Sequence, residues 1–82
     1  MKIIAIYDNP RVVDRYTIVL NERRRSAGKW LYAYLGVNEC PTDPSYGFSQ
    51  CGECVLGRHL GKKIKFEDLP EKTQKHVQER LS

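Results

Sequence analysis

The chain places all three of its cysteines in one short stretch, CPTDPSYGFSQCGEC at positions 40–54. Zinc prefers four thiolate or imidazole ligands in a tetrahedron, and two cysteines separated by two residues are a common half of such a site. Three sulfur ligands and one nitrogen ligand are supplied here by Cys40, Cys51, Cys54 and His59. A bound zinc would also stabilise a long loop in a small domain. The spacing therefore predicts a candidate structural zinc site.

Two other interpretations of these cysteines stay open. A reactive Cys-x-x-Cys pair needs a cation or a helix N-terminus to stabilise its thiolate, whereas the neighbour in CGEC is the acidic Glu53. A redox dithiol is therefore disfavoured. The remaining interpretation is that the cysteines are small, half-buried loop residues, with His59 as a turn residue between Gly57 and Gly61.

The sequence contains no arrangement typical of a catalytic centre. Nothing pairs a nucleophile with a base, and there is neither a glycine-rich phosphate loop nor a pattern of paired carboxylates. We therefore expect a protein that binds rather than an enzyme.

Lysine and arginine are concentrated towards the two ends of the chain. Residues 1–36 carry seven of them against three acidic residues, residues 37–60 carry one against three, and residues 61–82 carry six against four. Clustered cations attract polyanions, so this pattern predicts a basic face for nucleic acid or for an acidic protein surface. Ordinary solvated lysines and arginines are the alternative.

Three strands are predicted before the cysteine region. Residues 2–7 are rich in β-branched side chains and lead into a turn at Asp8, Asn9 and Pro10. Residues 15–20 and 29–35 alternate with the period of two that is typical of strands. The intervening residues, NERRRSAG, begin and end with turn formers and predict a hairpin whose tip carries Arg23, Arg24 and Arg25.

A fourth strand and a helix are predicted after the cysteine region. Residues 62–66 alternate, with Ile64 and Phe66 on one face and Lys63 and Lys65 on the other, as on a protected edge strand. Asp68 is expected to cap a helix over residues 69–81. The fold class is therefore α+β, with a small antiparallel sheet of about four strands in the order β-β-β-loop-β-α and one C-terminal helix.

Aromatic residues admit a structural and a functional interpretation. Trp30, Tyr32 and Tyr34 share one face of the third predicted strand. If exposed, they could stack on bases while the hairpin arginines contact phosphates. The core interpretation places Trp30 and at least one tyrosine inside, because large apolar residues are few elsewhere. Tyr46 and Phe48 are expected either to anchor the loop or to form a contact patch.

Length and composition predict one domain in the cytoplasm. With 82 residues, 40% of them hydrophobic and 29% charged, the chain has the composition of a single folded unit. Its apolar runs are far shorter than a membrane helix, and its N-terminus lacks a signal-peptide pattern. We expect no membrane association and reduced thiols.

Three runs carry a resemblance to known proteins, namely DRYTIVL at 14–20, YLGVNECPTDPSYGFSQCGE at 34–53 and HLGKKIKFEDLPEKTQ at 59–74. They resemble a set of small proteins from phages and other mobile elements. The resemblance covers most of the chain after Asp14 and implies a mobile-element origin, but it carries over no functional residue. The positions of the three cysteines are not regularly cysteine in that set.

Three functional hypotheses follow. The first is docking on nucleic acid, or on a complex that handles it, through a basic face made of Arg23, Arg24, Arg25, Lys29, Lys63 and Lys65, with Tyr46 and Phe48 as further contact residues. The second is a protein-binding inhibitor or adaptor that uses loop 40–54 on a host protein. The third is a zinc-stabilised structural module. Only the first requires binding to weaken steeply with salt.

Overall fold

A computed structural model describes residues 2–12, 14–38 and 50–81, and of Gln50 and Cys51 it describes the backbone alone. These described residues form five strands and one α-helix, in the order β1 (Ile3–Asp8), β2 (Tyr16–Ser26), β3 (Lys29–Val37), β4 (Gln50–Cys54), β5 (Lys62–Ile64) and α1 (Glu71–Leu81). Two single-turn 3-10 helices, Arg58–Leu60 and Phe66–Asp68, flank β5. The predicted α+β class is confirmed, with five strands rather than about four.

All strands form one antiparallel sheet in the order β4-β3-β2-β1-β5. The helix α1 covers one face of it. That face holds the larger apolar core, to which the sheet contributes Ile6, Tyr16, Ile18, Leu20, Leu35 and Val37, and the C-terminal segment contributes Leu69 and Val77. The alternation predicted for residues 15–20 is confirmed, because Tyr16, Ile18 and Leu20 all enter this core.

The opposite face of the sheet, which we name the second face, holds a smaller cluster. Its buried members are Ala5, Tyr7 and Val19, with Tyr32, Cys54 and Leu60 packed against them. Leu60 belongs to the connection between β4 and β5, so this connection covers the β1 side of the second face. The β2 and β3 side carries more exposed residues.

The β2–β3 hairpin is longer and tighter than predicted. Ser26 pairs with Lys29, so the turn consists of Ala27 and Gly28, whose φ angles are 49° and 78°. Two positive φ angles define a type I′ turn, which matches the twist of the flanking strands. The prediction that the three arginines form the tip of a turn is wrong, since Arg23, Arg24 and Arg25 all lie within β2.

The strand β4 lies where a long loop was expected, and CGEC is part of this strand rather than a turn. Cys51 pairs with Leu35 and Cys54 with Tyr32 of β3. The predicted order β-β-β-loop-β-α is therefore wrong at this point, because the strand β4 interrupts the loop. Backbone pairing with the outer edge of β3 orders these residues despite their weak strand propensity.

The segment leading into α1 also differs from the prediction. The strand β5 ends at Ile64, and Lys65 precedes a 3-10 helix, with its backbone N–H donating to Oδ2 of Asp68 at 3.0 Å. Asp68 therefore caps this short turn, and α1 begins only at Glu71. Phe66 and Ile64 do pack against the larger core, as their alternation predicted. No helix in the described ranges is long and apolar enough to span a membrane.

Candidate nucleic-acid interface

The end of the β2–β3 hairpin near its turn brings arginines and aromatics to one face. Arg23 is paired with Tyr32 and Arg25 with Trp30, and directly opposed residues of an antiparallel pair lie on the same face. Tyr34 belongs to that face as well, since it is two residues from Tyr32. We name these five residues, Arg23, Arg25, Trp30, Tyr32 and Tyr34, the arginine–aromatic surface. It lies on the second face, opposite α1.

Two guanidinium groups lie over the ring of Trp30. Cζ of Arg23 lies 4.1 Å from the centroid of the Trp30 ring, and Cζ of Arg25 lies 5.3 Å from it. Arg23 also donates from Nη1 to the hydroxyl of Tyr32 at 3.3 Å. Trp30 is 40% exposed, so the prediction that it is a core residue is wrong. Tyr16, fully inside the larger core, supplies the aromatic volume there.

The side chain of Arg24 lies on the opposite face of the sheet from those of Arg23 and Arg25. It alternates onto the face of α1 and reaches across β3 to Glu53, with Nε–Oε2 at 2.6 Å and Nη2–Oε1 at 2.9 Å. This bidentate hydrogen bonding, with the attraction between the charges, raises the pKa of Arg24 and lowers that of Glu53. Arg24 thus ties β2 to β4 and is not part of the arginine–aromatic surface.

Neither Arg23 nor Arg25 has a carboxylate partner among the described residues. Both side chains are exposed. Their positive charges are therefore balanced by solvent and mobile ions, which a polyanion can displace.

A cleft continues the second face beyond Tyr34. Its volume is about 430 Å³, and its lining includes Asp14, Thr17, Tyr34, Gly36, Cys54 and His59. The ring of Tyr34 lies against Gly52, where an added Cβ would be 3.0 Å from Cε1 of the tyrosine. The absence of a side chain at Gly52 therefore lets the ring lie flat on β4.

The predicted metal ligands are only partly brought together. Cys54 and His59 line the same cleft, whereas Cys40 lies outside the described residues and Cys51 is described only by its backbone. The described residues contain no group of three or more potential ligands. Burial raises the pKa of the Cys54 thiol, which disfavours the thiolate that zinc binds. The zinc site stays a prediction.

The predicted lysines do not join the arginines in one patch. Lys29 is exposed at the end of the hairpin, opposite Ser26. Lys63 is opposite Tyr7 on the second face, but it is two strands from β2 and about four residues along the sheet from Arg23, roughly 10 Å across and 13 Å along. Lys65 lies beyond β5. Tyr46 and Phe48 lie outside the described residues.

Sequence reasoning missed the pairing of arginines with aromatics, although its signal was present. In a hairpin closed by two residues, with Ser26 paired with Lys29, positions 23 and 25 lie on the same face of the sheet as positions 30, 32 and 34. Placing the turn over residues 21–28 concealed this shared face. Comparison with protein-family models, curated protein sequences and solved structures finds no match for this chain.

Proposed function

We propose that this protein binds nucleic acid through the arginine–aromatic surface. The observation that carries the proposal is the stacking of Arg23 and Arg25 on one exposed indole ring, at 4.1 and 5.3 Å. These guanidinium groups have no carboxylate partner among the described residues. Cations held beside flat aromatic rings match the two chemical features of nucleic acids, phosphates and bases.

The charge of the whole chain supports the same partner. The formal net charge is +4, and Lys29 adds an exposed cation at the end of the hairpin. A positive field steers a polyanion towards the protein, and each phosphate contact releases a condensed counterion. Binding should therefore weaken steeply as salt is raised.

The test compares two double variants that remove the same charge. Arg23→Ala with Arg25→Ala removes both cations of the arginine–aromatic surface, whereas Lys72→Ala with Lys75→Ala removes two exposed cations from α1, on the opposite face. Affinity for a labelled oligonucleotide is measured by fluorescence anisotropy over a range of salt concentrations. Each lost phosphate contact should reduce the slope of log affinity against log salt concentration by roughly 0.7 to 0.9. The slope of the arginine variant should therefore be smaller than that of the parent by about 1.4 to 1.8.

We expect the lysine variant to keep a slope close to that of the parent, apart from the small effect of net charge. Equal slopes for the two variants would place the binding site elsewhere. A parent protein that binds no nucleic acid, single- or double-stranded, at low salt overturns the proposal and favours the hypothesis of a protein-binding adaptor. Circular dichroism of both variants checks that the fold is retained.

A further inference from the structure

We infer that the arginine–aromatic surface takes single-stranded nucleic acid, whose bases stack on Trp30, Tyr32 and Tyr34. This inference rests on the proposed function and specifies its ligand. The three rings occupy alternate positions of β3. Trp30, at one end of the row, is 40% exposed, and Tyr32 and Tyr34 are half-buried, so each tyrosine offers part of its ring to a base.

The spacing of the rings favours a strand that is free to unstack. Residues i and i+2 of a strand are about 7 Å apart, whereas successive bases of a duplex rise by about 3.4 Å and already cover one another's faces. Only unpaired bases can separate and offer their faces to rings at twice that spacing. Exposed aromatics on a sheet bind single strands in this way.

The stacked arginines are compatible with an incoming base. Contacts between a cation and an exposed aromatic ring are weak compared with stacking of a base on the same ring. A base can therefore replace the guanidinium of Arg23 on the indole, and the released guanidinium then lies beside the phosphate that follows. The hydrogen bond from Arg23 to the hydroxyl of Tyr32, at 3.3 Å, is long enough to exchange easily.

A cleft lies beyond Tyr34, at the end of the row of rings opposite Trp30. Asp14, which lines the cleft, repels phosphate but can accept hydrogen bonds from a base, and Thr17 and His59 add further polar groups. The two arginines thus attract phosphates to their end of the row, whereas the carboxylate of Asp14 disfavours them at the cleft.

Trp30 is the single tryptophan of the chain, so intrinsic fluorescence reports directly on its stacking. Titration with an unlabelled single-stranded 12-mer should quench this fluorescence, and a blunt-ended duplex of 12 base pairs should quench it little and bind about tenfold more weakly or worse. Trp30→Ala should weaken single-strand binding about tenfold or more, measured by anisotropy. Trp30→Phe should restore most of the affinity, because it retains a ring.

The salt dependence of binding distinguishes the single-strand inference from the proposed nucleic-acid binding on which it rests. Trp30→Ala should leave the slope unchanged, because stacking releases no counterion, whereas the double arginine variant flattens it. Equal affinity for single strand and duplex, with Trp30 unquenched, overturns the inference while an arginine-dependent slope upholds nucleic-acid binding. If Trp30→Ala fails to fold, the quenching of the parent and the affinity of Trp30→Phe decide between the two outcomes. No binding to either ligand overturns both.

Discussion

The two halves of the β2–β3 hairpin differ in what surrounds them. In the proximal half, residues 16–20 of β2 and 35–37 of β3, nearly every side chain is buried. In the distal half, residues 21–25 are exposed, as are Lys29 and Trp30. The proximal half lies between β1 and β4 in the sheet and is covered by α1, while the distal half extends beyond β1. The same two strands thus supply the core at one end and the candidate binding surface at the other.

A register shift marks the boundary between the halves. From Val19 to Arg23 the chain of β2 advances four residues, while its partner β3 moves only from Tyr34 to Tyr32. The extra residues of such an irregularity increase strand twist and allow side chains to be aimed differently. Stability and binding can therefore be assigned to separate parts of one hairpin, and substitutions in each half should affect one property and spare the other.

The largest effect is expected in the proximal half. Ile18 is fully buried, so Ile18→Ala should lower the free energy of unfolding by about 2–5 kcal/mol through lost burial and a residual cavity. Trp30→Ala removes a larger side chain from the distal half but should cost less than half as much, since the indole is 40% exposed. Urea denaturation of both variants gives the comparison.

The total stability of a domain this short limits that experiment. A free energy of unfolding of about 0.05–0.15 kcal/mol per residue is typical of folded domains, so Ile18→Ala by itself can unfold the chain. Ile18→Val, with an expected loss of about 0.5–1.5 kcal/mol, then provides the value for the proximal half. A greater loss from Trp30→Ala than from Ile18→Ala would contradict the division of the hairpin.

The proximal half was predictable from sequence because burial there follows strict alternation. Tyr16, Ile18 and Leu20 are apolar at every second position, and the structure places all three in the core under α1. The distal half was harder to predict, since Ala27 and Gly28 lack the Asn-Gly or Asp-Gly signature of a type I′ turn. Because this turn was misplaced, the strand pairing that brings Arg23 and Arg25 onto the face of Trp30 was not predicted.

The strand β4 could not be predicted from its own residues. Gln50–Cys54 combines a glycine and a glutamate with two cysteines, and none of these types strongly favours a strand. Its pairing with β3 and the ion pair between Glu53 and Arg24 are non-local, since the two charged residues are 29 positions apart. Local patterns do not report such contacts. The arginine–aromatic surface also depends on the pairing of two strands, so it could be predicted from the sequence only in part.

The hairpin turn offers a smaller effect, confined to the distal half. Ala27 has φ 49°, a left-handed conformation that strains alanine but suits asparagine. Ala27→Asn should therefore raise the free energy of unfolding by about 0.5–1 kcal/mol. Gly28→Ala is the matched control with the opposite sign, because Gly28 has φ 78° and an added Cβ there is strained although it meets no atom within 4 Å.

In both turn variants, the backbone amides of the proximal half should keep almost the same protection against hydrogen exchange as in the parent. Distal amides, in contrast, should gain protection in Ala27→Asn and lose it in Gly28→Ala, because local opening at the hairpin end requires no disruption of the core. Equal changes in the two halves would show that the hairpin opens as one unit.

The smallest effect is expected from the ion pair that ties the distal half to β4. The hydrogen bond from Arg24 lowers the pKa of Glu53 below its ordinary value of 4.5. A carboxyl group with a lowered pKa stabilises the fold above its unfolded-state pKa, and this contribution disappears as the pH falls through the folded-state pKa. Glu53→Gln should therefore be slightly less stable than the parent at pH 7, and the difference should vanish at acid pH.

A double-mutant cycle isolates this pair from the rest of the titration. In an Arg24→Gln background, Glu53→Gln should give a much smaller pH-dependent difference in the free energy of unfolding, because the cation that lowers the carboxyl pKa is gone. Both groups are exposed, so added salt should also reduce the coupling in the parent. If the pH-dependent effect of Glu53→Gln persists in the Arg24→Gln background, a group other than Arg24 lowers the pKa of Glu53, and the distal half is joined to β4 by the backbone pairing of β3 alone.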